Sequence, residues 1–137
     1  MHHRFQGPKD WSPTGNIPWV PIWPEFVDAY LEAAIWTSSD DEDRPLDRDY
    51  GVGDFSDSAV ALAIKESNEF IQKNREDLGQ VGDPGQHGHD FWLTRNGHGV
   101  GFWDRGYGDV GDRLTAASKK FRERDVYAGD DGELHFG

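Results

Sequence analysis

The chain contains no cysteine. Disulfides, thiolate nucleophiles and zinc sites built on cysteine are therefore excluded, and such a chain sits most simply in a reducing compartment. No stretch approaches the roughly 18 consecutive apolar residues that a membrane span requires. Met1-His2-His3-Arg4 has no apolar run behind it that would read as a signal peptide. Basic residues are scarce: 14 Lys and Arg face 26 Asp and Glu, a net charge of −12. A surface of that sign repels phosphate backbones and anionic lipid heads and attracts basic protein surfaces. The same charge also serves solubility alone. No G-x-S-x-G, H-E-x-x-H or P-loop pattern occurs, so the familiar short signatures of hydrolases, metalloproteases and nucleotide-triphosphate enzymes are missing.

Aromatic residues are plentiful. Six Trp and eight Phe argue against a disordered acidic tail, because such segments lack the large apolar groups that build a core. A length of 137 residues fits one domain. Pro8, Pro13, Pro18, Pro21 and Pro24 alternate with Trp11, Trp19 and Trp23. Pro at that density forbids a regular helix and confines any strand to an edge. Residues 1–24 are expected to form an extended arm packed on a single domain at 25–137.

The first helix should begin at Pro24, which suits a first helical turn. Phe26, Val27, Tyr30, Leu31, Ala34 and Ile35 repeat on one face, and Thr37-Ser38-Ser39 should end it. Residues 40–54, DDEDRPLDRDYGVGD, read as a polar loop. A second helix should start at Ser56 or Asp57, both good caps. It should carry Val60, Ile64, Ser67, Phe70, Ile71, Asn74 and Leu78 on its buried stripe and stop at Gly79. Residues 79–88 read as a loop by composition.

The stretch GHDFWLTRNGHGVGFWDRG (88–106) alternates Phe91 and Leu93 with Trp92 and Thr94, then Val100 and Phe102 with Gly101 and Trp103. Asn96-Gly97 lies between the two runs and is a strong hairpin signal. The pattern predicts two antiparallel strands with Trp92 and Trp103 sharing one face. A third helix should follow, with Val110, Leu114, Ala117 and Phe121 buried. VYAG and ELHF around Asp130-Asp131-Gly132 should form a second hairpin. The expected fold is α+β, in the order α-α-β-β-α-β-β, with about four antiparallel strands and three helices.

Two surfaces are candidates for function. The first is acidic: Asp40, Asp41, Glu42, Asp43, Asp47, Asp49, Asp54 and Asp57. Carboxylates along a rigid surface can imitate duplex phosphates, which present one charge per ~1.7 Å of axis. The second is the predicted 88–106 hairpin, where His89, Trp92, Arg95, His98, Trp103 and Arg105 would make a stacking platform for a small ligand or nucleotide. His89 with Asp90 or Asp104 would also suit acid–base work in a small hydrolase. His87 and His89 match no strong metal spacing. Asp47-Arg48-Asp49-Tyr50-Gly51 does not hold the register of a calcium loop. No cofactor, no metal and no catalytic residue is assigned.

AYLEAAIW (29–36), GHDFWLTRNGHGVGFWDRG (88–106) and VYAGDDGELHF (126–136) resemble a widespread group of small acidic proteins encoded by bacteriophages. The arm and the 79–87 loop lie outside the resemblance, and the group supplies no catalytic residues to carry over. It implies a phage protein acting in the host bacterial cytoplasm. With the charge, this gives the leading expectation: a binding protein that inhibits a host nucleic-acid enzyme or defence system by DNA mimicry. The partner would be a basic protein surface, not long nucleic acid and not a membrane. The alternatives are the ligand or hydrolase surface on 88–106, or a virion component.

Overall fold

The computed structural model describes residues 19–98 and 100–137. Five α-helices stand in it: α1 (Pro24–Trp36), α2 (Asp57–Lys73), α3 (Arg75–Gln80), α4 (Pro84–Arg95) and α5 (Asp109–Lys119). A single antiparallel pair, β1 (Val126–Ala128) and β2 (Leu134–Phe136), closes the chain. The expected four strands and three helices are therefore corrected to a mostly helical fold with one two-stranded sheet. Most of the expected arm, residues 1–18, lies outside the described residues.

The largest correction falls on 88–106. Its first half is the end of α4, and its second half is a short 3-10 turn at Phe102–Arg105. Helix α4 starts where Asp83 caps the Gln86 N–H and Pro84 occupies the first turn. It is buried on nearly every side, from His87 and Gly88 through Asp90 to Arg95. A helix enclosed all round shows no polar face, so its apolar residues carry no 3.6-residue period and can pass for a strand. Asn96-Gly97 also has a second use. Gly97 (φ 71°) stands just beyond the helix, its N–H bonds the Thr94 carbonyl, and the His98 N–H bonds the Leu93 carbonyl. That pair of bonds is a Schellman cap. A left-handed glycine serves a hairpin turn and a helix stop equally, and here the helix takes it.

The expected second helix is divided. Asn74 (φ −125°, ψ 20°) breaks it between α2 and α3, and its side-chain amide bonds the Phe70 carbonyl. Asparagine competes in this way for helical backbone groups. Ser56 caps α2 through the Ala59 N–H. The terminal strands pair in the register Val126↔Phe136 and Ala128↔Leu134, and the Leu134 carbonyl also accepts the Ser56 N–H at 3.0 Å. The hairpin is thereby tied to the start of α2.

The core is aromatic. Phe70 and Phe91 stack at 4.3 Å, with Phe26, Tyr30, Phe102 and Phe121 around them. Helices α1 and α4 make the most extensive contact between elements. They can approach because residue 88 is glycine: a Cβ there would run into the Phe26 carbonyl. The segment before α1 is held to α2 by Asn68, whose amide bridges the Ile22 N–H and the Val20 carbonyl, each at 2.9 Å.

Candidate functional site

Three of the six residues of the expected hairpin platform, Trp92, Arg95 and Arg105, hold the fold together. Trp92 is 2% exposed, and its indole N–H bonds Thr37 Oγ1 at 2.8 Å, joining α4 to the end of α1. Arg95 is equally buried. Its guanidinium lies over the rings of Phe91 and Phe121 and bonds Glu66 Oε1 (2.7 Å), the Tyr30 hydroxyl (3.0 Å) and the carbonyls of Phe121 and Arg122. Arg105 forks onto the buried Asp90 carboxylate at 2.8 and 3.0 Å, fastening the 102–105 turn to α4. Burial opposes ionisation of Asp90, but the His89 imidazole, 3.9 Å away, and the Arg105 fork outweigh it and hold the carboxyl below its usual range. Trp103 in that turn is exposed, and so is His98 just past the α4 cap. With Trp92 in the core, the expected Trp92–Trp103 face does not form.

Two cavities bring residues of that set together with residues of the acidic set: Trp92 and His98 line one with Asp40 and Asp41, and His89 lines the other with Asp47. A cleft of about 450 Å³ opens between the end of α1, the 47–52 segment and α4. The rings of Trp36, Tyr50 and His89 line it, with Val52 among its apolar walls and the carboxylates of Glu32 and Asp47 at its edge. Among the described residues, no Lys or Arg is part of this lining. Glu32 and Trp36 are four apart on α1 and share its outer face. Trp36 is 58% exposed, and its indole stacks on His89 with centroids 5.7 Å apart and planes 28° apart.

The acidic loop is ordered by its own contacts. Asp40 Oδ1 accepts the Glu42 and Arg44 N–H groups and Oδ2 accepts the Arg44 guanidinium, at 2.8–2.9 Å. The Arg44 N–H above all, then the Glu42 N–H and the Arg44 side chain, hold the Asp40 carboxyl below its usual range. Glu42 pairs with Arg44 at 2.9 Å. Asp54 accepts the Gly51 N–H, and Asp57 opens α2. Asp41, Asp43, Asp47 and Asp49 are exposed. Leu46, 2% exposed, anchors the loop in the core, and a Ser39–Pro45 bridge closes its neck.

The chain matches no family model, no curated protein and no solved structure.

Sequence reading named Asp47 and His89 but placed them on two separate surfaces, and it missed Trp36 and Tyr50. One signal for Trp36 was present. It falls outside the apolar stripe of α1 and in step with Glu25, Asp28 and Glu32, so a large ring was due on the solvent side. The two histidines considered as a metal pair are not one: His87 is buried, with Nε2 2.6 Å from the Val81 carbonyl, while His89 packs on Trp36. Among the described residues, Asp131, Glu133 and His135 bring ligand atoms within 4.8 Å of one another. There Asp131 already accepts from His135 Nε2 at 3.0 Å and from the Glu133 N–H, which accounts for the cluster as a clasp across the hairpin turn. No helix is long and apolar enough to cross a membrane among the described residues.

Proposed function

We propose that this chain is an acidic binding protein that docks on a basic protein surface, with the Trp36 cleft at the centre of the contact and the 41–49 carboxylates around it. The observation that carries the reading is one juxtaposition: an exposed Trp, stacked on His89, sits in a cleft edged by Asp47, and Asp47 belongs to the loop that carries Asp41, Asp43 and Asp49. An aromatic anchor in a cavity within a charged rim is the usual anatomy of a binding hot spot. A net charge of −12 speeds encounter with a basic partner at low salt.

Proteins that grip nucleic-acid phosphates have the complementary surface. The reading therefore extends to inhibition: the carboxylates occupy the phosphate-binding face of a nucleic-acid enzyme and keep its substrate out. In the phage setting that the resemblance implies, the enzyme is the host's. Asp40 contributes less than its neighbours, because Arg44 already takes its carboxylate.

The test compares the parent with a variant carrying Asp41→Asn, Asp43→Asn, Asp47→Asn and Asp49→Asn. Both are used as bait in bacterial lysate at low and high salt, with and without competing duplex DNA. The expected result is capture of a basic nucleic-acid-binding protein by the parent at low salt. High salt or added duplex should release it, and the variant should not capture it. Equal capture by parent and variant, or capture indifferent to salt and to DNA, would overturn the reading.

A further inference from the structure

We propose that the cleft between α1, the 47–52 segment and α4 is a binding site for one arginine side chain of the partner, an inference that rests on the docking reading above. The cleft of about 450 Å³ combines two features that separately suit different ligands. Its rings, Trp36, Tyr50 and His89, favour a flat, weakly hydrated group. Its exposed carboxylate, Asp47, favours a cation. A guanidinium is both: it is planar, permanently charged, less hydrated than an ammonium, able to stack on an aromatic face and able to fork onto a carboxylate. The alternatives fit less well. An apolar ligand would cover Asp47 without giving it a partner, at a desolvation cost. A nucleotide would bring its phosphates to the Asp47 carboxylate, with no cation among the described lining residues to receive them.

The parts have separable roles. The stack with His89, at 5.7 Å, holds the Trp36 indole at the end of α1, where 58% of the residue remains open. Trp36 is the stacking surface. Asp47 is the carboxylate assigned to the guanidinium fork: it is exposed, and the buried Leu46 beside it fixes its backbone. Val52 supplies a contact for the aliphatic stem.

The experiment is a titration of the full chain, followed by two-dimensional NMR at the Trp36 indole N–H and the Val52 methyls. The probes are N-acetyl-arginine amide, its neutral isostere N-acetyl-citrulline amide, N-acetyl-lysine amide and adenosine monophosphate. Arginine amide is expected to give saturable shifts at both positions, at least threefold tighter than lysine amide, while citrulline amide gives none. Asp47→Asn should weaken arginine binding at least fivefold and leave distant resonances in place, which shows that the fold is intact. Trp36→Ala should abolish it. Absent saturation, equal binding of citrulline, an unaffected Asp47→Asn variant, or saturation by the nucleotide in place of arginine would each overturn the proposal. Its failure is distinct from failure of the docking reading. Capture of a partner without arginine binding leaves the acidic rim and removes the pocket. Arginine binding without any salt-sensitive capture keeps the pocket and removes the wider role.

Discussion

Arg95 and Glu66, 29 residues apart in the chain, form an ion pair of 2.7 Å in the interior, and Glu66 reaches a second arginine, Arg124, at 3.1 Å through its other oxygen. Arg95 comes from the end of α4, Glu66 from α2 and Arg124 from the segment leading into β1. The Arg95 guanidinium also donates to the carbonyls of Phe121 and Arg122, just beyond α5. One charged group thus terminates one helix and joins three other pieces of chain. Replacing such a network by apolar groups can be neutral, but removing one partner leaves the others buried and unpaired.

Arg95→Ala is accordingly expected to destabilise the protein by roughly 3–5 kcal/mol, seen as a lower midpoint in urea unfolding. Glu66→Gln, which keeps hydrogen-bonding capacity, should cost less. An Arg95→Ala midpoint equal to that of the parent would show that the network contributes little.

Tyr30 hydroxyl bonds to the same guanidinium. Burial pushes its phenol from 10.0 up to about 12, against the opposing pull of Arg95. In the unfolded chain a phenol ionises near 10. The folded state therefore holds this proton more tightly. The associated stability is complete below about pH 10 and is lost as pH rises through about 12, to the extent of about 2–3 kcal/mol at 1.36 kcal/mol per unit. Alkaline titration of tyrosinate absorbance should show the Tyr30 phenol ionising late and together with unfolding. Tyr30→Phe should remove that phase. A phase that survives Tyr30→Phe would assign it elsewhere.

Two glycines on neighbouring helices should respond in opposite directions. Gly88 in α4 faces the Phe26 carbonyl, where a Cβ has no room, whereas nothing lies within 4 Å of a Cβ on Gly79 in α3. Gly88→Ala must push α1 from α4 and should lose about 1–3 kcal/mol, as overpacked cores do. Gly79→Ala should gain roughly 0.5–1 kcal/mol, since alanine costs less backbone entropy in a helix. Thermal unfolding of the two variants beside the parent checks both signs at once.

Asp90 and Arg105 set the acid limit of the 102–105 turn. The carboxyl is fully buried and held below its usual range while Arg105 remains partly open to water. A depressed folded-state value means that the stabilisation is present at neutral pH and is lost as pH falls below the usual carboxylate range and through that lower value. Asp90→Asn should cost roughly 1.5–3 kcal/mol at neutral pH, nearer the lower figure because solvent screens Arg105. The gap from the parent should narrow on acidification. Chemical denaturation at neutral and acid pH measures that gap, and a gap that widens in acid would contradict the assignment.

Local signals in the sequence were sufficient in several places. Pro24 and the stripe from Phe26 to Ile35 specify α1, Ser56 caps α2, and Asp130-Asp131-Gly132 turns the terminal hairpin, because each depends on near neighbours alone. Absence of cysteine and the charge of −12 are properties of composition and bound the chemistry before any folding. The 84–95 segment is different. Residues 79–88 read as a loop by composition and Asn96-Gly97 as a hairpin turn, and only enclosure by α1, the 102–105 turn and the Phe70 and Phe121 rings favours the helix. That enclosure decides which arginine is structural. It buries Arg95 against a Glu66 that the local pattern places on a solvent face, because a long-range pair leaves no periodic trace. It also brings His89, from α4, against Trp36 from the end of α1 and into one cleft with Asp47. Contact across about fifty residues of chain is a consequence of how the helices cross, and the crossing depends on the missing side chain at Gly88.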